Sequence, residues 1–328
     1  GLMLLAWLVV HAAILPRIDA WRAPIERSAT QALGVPVQIG RIRAQSHVWT
    51  PVFEIEELRL LDTQGREALR LPRLRATWSW ASLWHFELRL GRLEIEAPQL
   101  AVRRDAQGRL HVAGLDLGET TASASASPGA LEWFLSLPEF RVHGGRVRWI
   151  DEQRALPPLE LGDVQAVMRN SAPAPRRHEF RLDATPVDGW GERLSLRARF
   201  TQPLLTRSSD RSRWSGQAYA ELPRVDLQAL HRHLPAGLHL ERGSGGLRAW
   251  ADMSAGRWTG LTLDLDLADL RARFEAAAEA LDLAALRGRL VWREDGTQQV
   301  VALQGLSATA AAQAGEVQAA HWAGLPAA

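Results

Sequence analysis

Asp264 and Asp266 in LTLDLDL, and Glu94 and Glu96 in RLEIEAP, are the residues best placed for acid/base chemistry. Each pair is spaced i, i+2, so on a strand both carboxylates project from one face. Close carboxylates can divide into acid and base roles. Neither pair has a His or Arg cluster fixed beside it, and exposed strand faces carry such pairs routinely, so both read as solvated. His231 and His233 form an HxH. On a helix that spacing turns the rings about 200° apart, which prevents a shared metal. Arg242–Gly246 (RGSGG) lacks the GxSxG spacing of a nucleophile elbow and reads as a bulge or tight turn. His143–Arg146 (HGGR) reads as a hairpin turn.

Composition removes further chemistry. The 328 residues include no Cys and no Lys, which excludes thiol nucleophiles, disulfides, CxxC sites, P-loops, Schiff bases and Ser-Lys pairs. The expectation is a non-catalytic chain with no metal and no cofactor. Basic and acidic residues nearly balance, 39 against 37, and every basic residue is Arg, which places the pI at 10.1. No basic run marks a nucleic-acid partner. A secreted hydrolytic or carbohydrate-binding β protein is the enzyme-class alternative; it requires Asp264 and Asp266 to face a cleft with perturbed pKa.

The elements that carry these residues are strands. Leu261, Leu263, Leu265 and Leu267 point one way, and Thr262, Asp264 and Asp266 the other. Unpaired aspartates cannot stay in a dry interior, so their face sees water. The same alternation places Val37 and Ile39, Leu93 and Ile95, and Val102 on apolar faces. It does so too for Leu110, Val112, Val142 and Val147, then Leu182, Leu194 and Leu196. Turn residues separate the segments, as in an antiparallel meander. Asp62-Thr63-Gln64-Gly65-Arg66 and Asp105-Ala106-Gln107-Gly108-Arg109 are one device: Asp accepts backbone N–H groups and Gly takes positive φ. Asp151–Arg154 and Glu294–Thr297 are looser copies. The first three recur about every 45 residues, a period that a β-propeller would share. Trp80, Trp84, Trp133, Trp149, Trp250 and Trp292 read as core, with an apolar-ligand or membrane-interface surface as the alternative.

At the start, Leu2–Leu15 (LMLLAWLVVHAAIL) is uncharged until Pro16 and Arg17. As a helix it reaches about 20 Å of the roughly 30 Å hydrocarbon core. It reads as a partial single-pass anchor through Leu2, Leu4, Leu5, Trp7, Leu8, Val9, Val10, Ile14 and Leu15, completed by residues upstream of Gly1. A signal peptide or a buried helix is the alternative. Pro24–Leu33 predicts a short helix capped by Gly34, and Asp226 caps a second one. One helical turn is expected at Ser79–Trp84 and a flexible loop at Thr120–Gly129. The expected division is an anchor at 1–15, a first β unit at 16–206, a linker at 207–213, a second unit at 214–306 and an Ala-rich end at 307–328.

Several stretches resemble the N-terminal region of YhdP-type proteins, in the AsmA-like group that includes TamB. They are PVQIGRI, LRLPRLRATWSWASLW, RLGRLEIEAPQLAVRRDAQGRLHVAGL, RVRWIDEQRALPPLEL, RWSGQAYAELPRVDLQALHRHLP and GLRAWADMSAGRW. The resemblance implies a bacterial inner-membrane anchor and a periplasmic body with a long, curved β groove. It also implies phospholipid carried toward the outer membrane in support of its permeability barrier, the apolar-face residues above lining the groove, and outer-membrane or periplasmic partner proteins. A TamB-like scaffold for outer-membrane protein assembly is the alternative. Exposing two acyl chains of about 16 carbons costs on the order of 20 kcal/mol, so a water-crossing lipid needs such a groove.

Overall fold

The computed structural model describes residues 20–47, 50–62, 64–78, 90–119, 135–171, 176–203, 211–230, 238–274, 281–295 and 298–310. The chain divides into two compact units, Gly1–Ser171 and Ala172–Ala328. The division falls in the Ser171–Arg177 connector and not at 207–213, because the strands flanking 207–213 pair directly from Ser195 opposite Glu221 to Thr201 opposite Ser215.

The first unit opens with helix α1 (Arg22–Leu33), which places Pro24 in its first turn and ends on Gly34 at φ 70°. Strands β1 (Val37–His47), β2 (Thr50–Leu61) and β3 (Glu67–Trp78) follow as an antiparallel meander. Next come β4 (Leu90–Glu96), β5 (Gln99–Arg104), β6 (Arg109–Val112), β7 (Leu115–Glu119), β8 (Glu139–Asp151) and β9 (Leu159–Ser171). The meander is interrupted once. Both β4 and β5 lie antiparallel to β3 and parallel to β8. Parallel neighbours need a long crossover, which the chain between Arg104 and Glu139 supplies.

One level of this sheet carries an extra residue in strand after strand. Arg41, Glu56, Arg73, Glu96 and His143 form one cross-strand row. The residue beside each, on the same side of the row, is Gly40, Glu57, Pro72, Ala97 or Gly144. Glu57, Ala97 and Gly144 have positive φ, as does Asp163 in β9. Bulges aligned in this way bend a sheet along a transverse line. The HGGR segment is therefore no hairpin turn: β8 runs straight through it as a bulged strand.

The second unit is an uninterrupted antiparallel meander. It comprises β10 (Arg176–Pro186), β11 (Leu194–Gln202), β12 (Ser215–Asp226), β13 (Leu238–Ser254), β14 (Arg257–Phe274), β15 (Leu281–Asp295) and β16 (Gln298–Ala310). Asp226 accepts from the N–H groups of Gln228 and Ala229 and so caps the short helix α2 (Leu227–Leu230). Bulges again align, near Pro223, at Gly243 and at Asp269. RGSGG is such a bulge inside β13. Consecutive strands of each unit form sheet ladders rather than separate four-stranded blades, so the propeller alternative is set aside.

Among the described residues no helix is long and apolar enough to cross a membrane. The expected anchor, Leu2–Leu15, lies outside the described residues, as do Ser79–Trp84, Thr120–Gly129, Trp133, His231 and His233.

Candidate functional site

The register of the second unit sorts side chains with little exception. One cross-strand row runs Phe180, Ala198, Ala218, Ala251, Leu261, Trp292, Val301. The next runs Leu182, Leu196, Ala220, Ala249, Leu263, Leu290, Leu303. A third joins Leu222, Leu247 and Leu265, with Ala184 and Leu194 at its start. Directly paired residues share a face, so these rows make an apolar surface seven strands wide. At about 4.8 Å per strand it measures roughly 30 Å across. Apart from Ala184, which is buried, its members are half-buried or exposed, and Val301 and Leu303 are more than half exposed. A sheet closed by a second layer would bury them.

Leu267 departs from this pattern. The Asp269 bulge carries the apolar side from odd to even positions, and Leu267 packs in a core with Leu240, Leu270, Ala272 and Leu283.

The first unit is sorted just as sharply, but its apolar side is largely filled. Val37 and Ile39 are buried with Val35, Ile42 and Leu60, against Ala29 of α1, Ala113 and Leu115. Leu93 packs with Ala76 and Leu137, and Ile95 is buried in the row of Ile42, Ile55, Leu74, Val142 and Ala166. Val102, Leu110, Val112, Val142 and Val147 are half-buried. Four of the expected lining positions in this unit are thus core: α1 and the β6–β7 segment pack against the cluster of Val37 and Ile39, Leu137 packs against Leu93, and Ile95 is buried in its row.

The opposite faces are polar and paired. Asp264 accepts from Arg289 at 2.6 and 2.8 Å, and Asp266 from Arg287 at 2.8 Å. Glu96 binds Arg73 and Arg75 at 2.8 and 2.9 Å, and Glu94 lies 3.7 Å from Arg92. Asp264, Asp266 and Glu221 line a depression of about 670 Å³, where Arg289, Arg287 and Arg248 match them one to one. The hydrogen bond from Arg289 holds the Asp264 carboxyl below its ordinary range. A general acid needs the opposite shift. Among the described residues no group of His, Cys, Asp and Glu could hold a metal ion.

The repeated turns converge at one end of the first unit. Asp62 Oδ1 accepts from the N–H groups of Gln64 and Arg66, and Asp105 Oδ1 from those of Gln107 and Arg109. Gly65 and Gly108 take φ of 76° and 84°. Arg103 pairs with Asp62, Arg104 pairs with Asp151, and Glu152 lies 3.4 Å from both Arg66 and Arg103. His111 and Arg109 bind Asp105 and hold its carboxyl at about 2. This network locks the hairpin ends together.

The tryptophans depart from expectation. Trp149 is on the apolar side of the first unit and Trp292 on that of the second, but Trp250 stands on the second unit's polar face, 5.3 Å from Tyr219 and with Arg289 6.0 Å from its ring. Among the described residues the buried tryptophans are Trp190 and Trp214, the latter stacked at 4.6 Å on the buried His178. The sequence reading also missed the apolar-face residues of β12, β13 and β16 and Leu290 of β15. The signal that finds them is the pairing of each strand with its neighbour, not the strand alone.

No curated protein and no solved structure matches this chain. A family model described as "YhdP protein" matches residues 1–324, nearly the whole length. The chain belongs to the YhdP family.

Proposed function

We propose that the apolar face of β10–β16 carries the acyl chains of phospholipids across the periplasm between inner and outer membranes, without catalysis. The observation behind this reading is the contiguous, half-exposed apolar surface of the second unit, backed by a face that carries Arg–carboxylate pairs. Membership of the YhdP family supports the coarser theme of AsmA-like lipid transport in the cell envelope. An acyl chain laid on Leu196, Leu263 and Leu290 gains about 0.8 kcal/mol per CH₂ removed from water. Headgroups stay in solvent, so no buried charge is required of the protein. In this account the chain is held at the inner membrane by the Leu2–Leu15 segment, and further partner proteins act at the outer membrane.

The test replaces Leu263 and Leu265 together with Asp. These side chains stand on the open face, so folding survives while apolar continuity is lost. Lipid transfer and outer-membrane integrity should fail with the protein still membrane-inserted. Normal transfer by this variant contradicts the reading. Failed barrel-protein insertion with normal lipid balance favours the TamB-like role.

A further inference from the structure

Helix α1 presents two differently employed sides. Arg22, Glu26 and Thr30, spaced i, i+4, i+8, run along β1. Arg22 Nη1 donates to Gly40 O at 2.9 Å, Glu26 Oε1 accepts from Ile39 N at 2.6 Å, and Thr30 Oγ1 accepts from Val37 N at 3.0 Å. These contacts occupy backbone groups on a strand edge that would otherwise be bare. Ala29 adds an apolar contact to the core. The helix is thereby fixed in rotation about its own axis.

On one flank of the helix two large apolar side chains stand uncovered. Trp21 is 58% exposed and Ile25 38%, and at i, i+4 they stand within about 40° of each other around the axis. Together with Leu33 they are all the exposed large hydrophobic side chains among the described residues of the first unit. Single exposed apolar residues mean little. A unit that buries its large hydrophobics elsewhere and gathers the remainder on one docked helix is a different case.

We propose that this side of α1 rests on the surface of the phospholipid bilayer, with Trp21 and Ile25 in the interfacial layer. The argument for a bilayer rather than a protein is the uncharged run Leu2–Leu15, which ends a few residues before Trp21, and the preference of indole for the membrane–water boundary. The proposal rests on the reading of that run as an anchor. Its consequence is positional: one clamp both closes the edge of β1 and holds the first strand at the bilayer.

These 328 residues include no Cys, so single labelling sites can be introduced into this chain. Ile25→Cys is compared with Arg27→Cys, which points to the far side of the helix, each carrying an environment-sensitive NBD fluorophore. The protein is floated with vesicles of phosphatidylethanolamine and phosphatidylglycerol. The label at 25 should emit at shorter wavelength and be quenched by doxyl lipids, while the label at 27 stays accessible to aqueous iodide. Flotation with both labels in water overturns this proposal alone. Absence of flotation overturns the anchor reading and this proposal with it. Lipid-independent shielding at 25, seen only after adding envelope extract, points to a protein partner and also overturns it. The Trp21→Ser/Ile25→Ser chain, labelled at Ser28→Cys, should lose the lipid quenching shown by Ser28→Cys alone, with its circular dichroism unchanged.

Discussion

Asp62 serves two backbone N–H groups, Arg66 and the buried Arg103 at once. Replacing it with Ala strands a buried guanidinium that keeps only the longer contact to Glu152. That should cost about 3 kcal/mol, read as a lower urea midpoint for the first unit. Acid should act on the same unit. Glu139 is raised by partial burial, but hydrogen bonds from Arg141 and Arg169 and the charge of Arg92 outweigh this and hold it at about 2, against 4.5 ordinarily. Asp105 is likewise held at about 2 against 3.8, chiefly by its bond to His111. Both groups bind fewer protons folded than unfolded. Their contribution is complete above about 4.5 and is lost as pH falls toward 2. Melting temperature measured across this window should decline, and Glu139→Gln should flatten the upper part of the decline. The DxQGR turns were legible in sequence because their geometry is local. The pairing of Arg103 with Asp62 was not, because it joins residues far apart along the chain.

At the scale of elements, the aligned bulges decide which side each strand half presents. Gly245 shows how tightly the backbones approach there. A Cβ would lie 2.1 Å from Asp266 O, at a φ of 159°. Gly245→Ala should destabilise the second unit by about 2 kcal/mol or more, read as a lower denaturation midpoint. The bulges leave a trace in sequence, a slip in the apolar phase: Val37, Ile39, then Ile42; Leu267, then Leu270. Where Gly-Gly accompanies the slip, as at Gly144-Gly145, the pattern mimics a turn. Neighbouring strands bulge at the same level, and that alone distinguishes the two. Four strands escaped alternation for physical reasons. Pro72 interrupts β3, Gly162-Asp163 interrupts β9, Ala218 and Ala220 lend β12 little hydrophobic contrast, and β16 has no charged residue on either side. The parallel join of β8 to β4 and β5 is set by a crossover that no local pattern encodes.

For the whole molecule, the separation of greasy and charged faces was readable from LTLDLDL outward, because strand periodicity transmits it directly. Whether each apolar face stays open was not readable. In the first unit α1, Ala113, Leu115 and Leu137 cover much of it, while in the second the rows ending at Val301 and Leu303 remain uncovered among the described residues. Lipid should therefore reside on the second unit. Ala249→Trp, mid-sheet on that face, should change stability by less than about 1 kcal/mol yet reduce bound lipid measured by mass spectrometry. The most direct measurement places a photo-crosslinking benzoylphenylalanine at Leu263, or at its neighbour Asp264, in the full chain within cells. Irradiation should yield phospholipid adducts at Leu263 and none at Asp264. Crosslinks from Leu263 to other segments of the same chain, with no lipid adduct, would contradict the account.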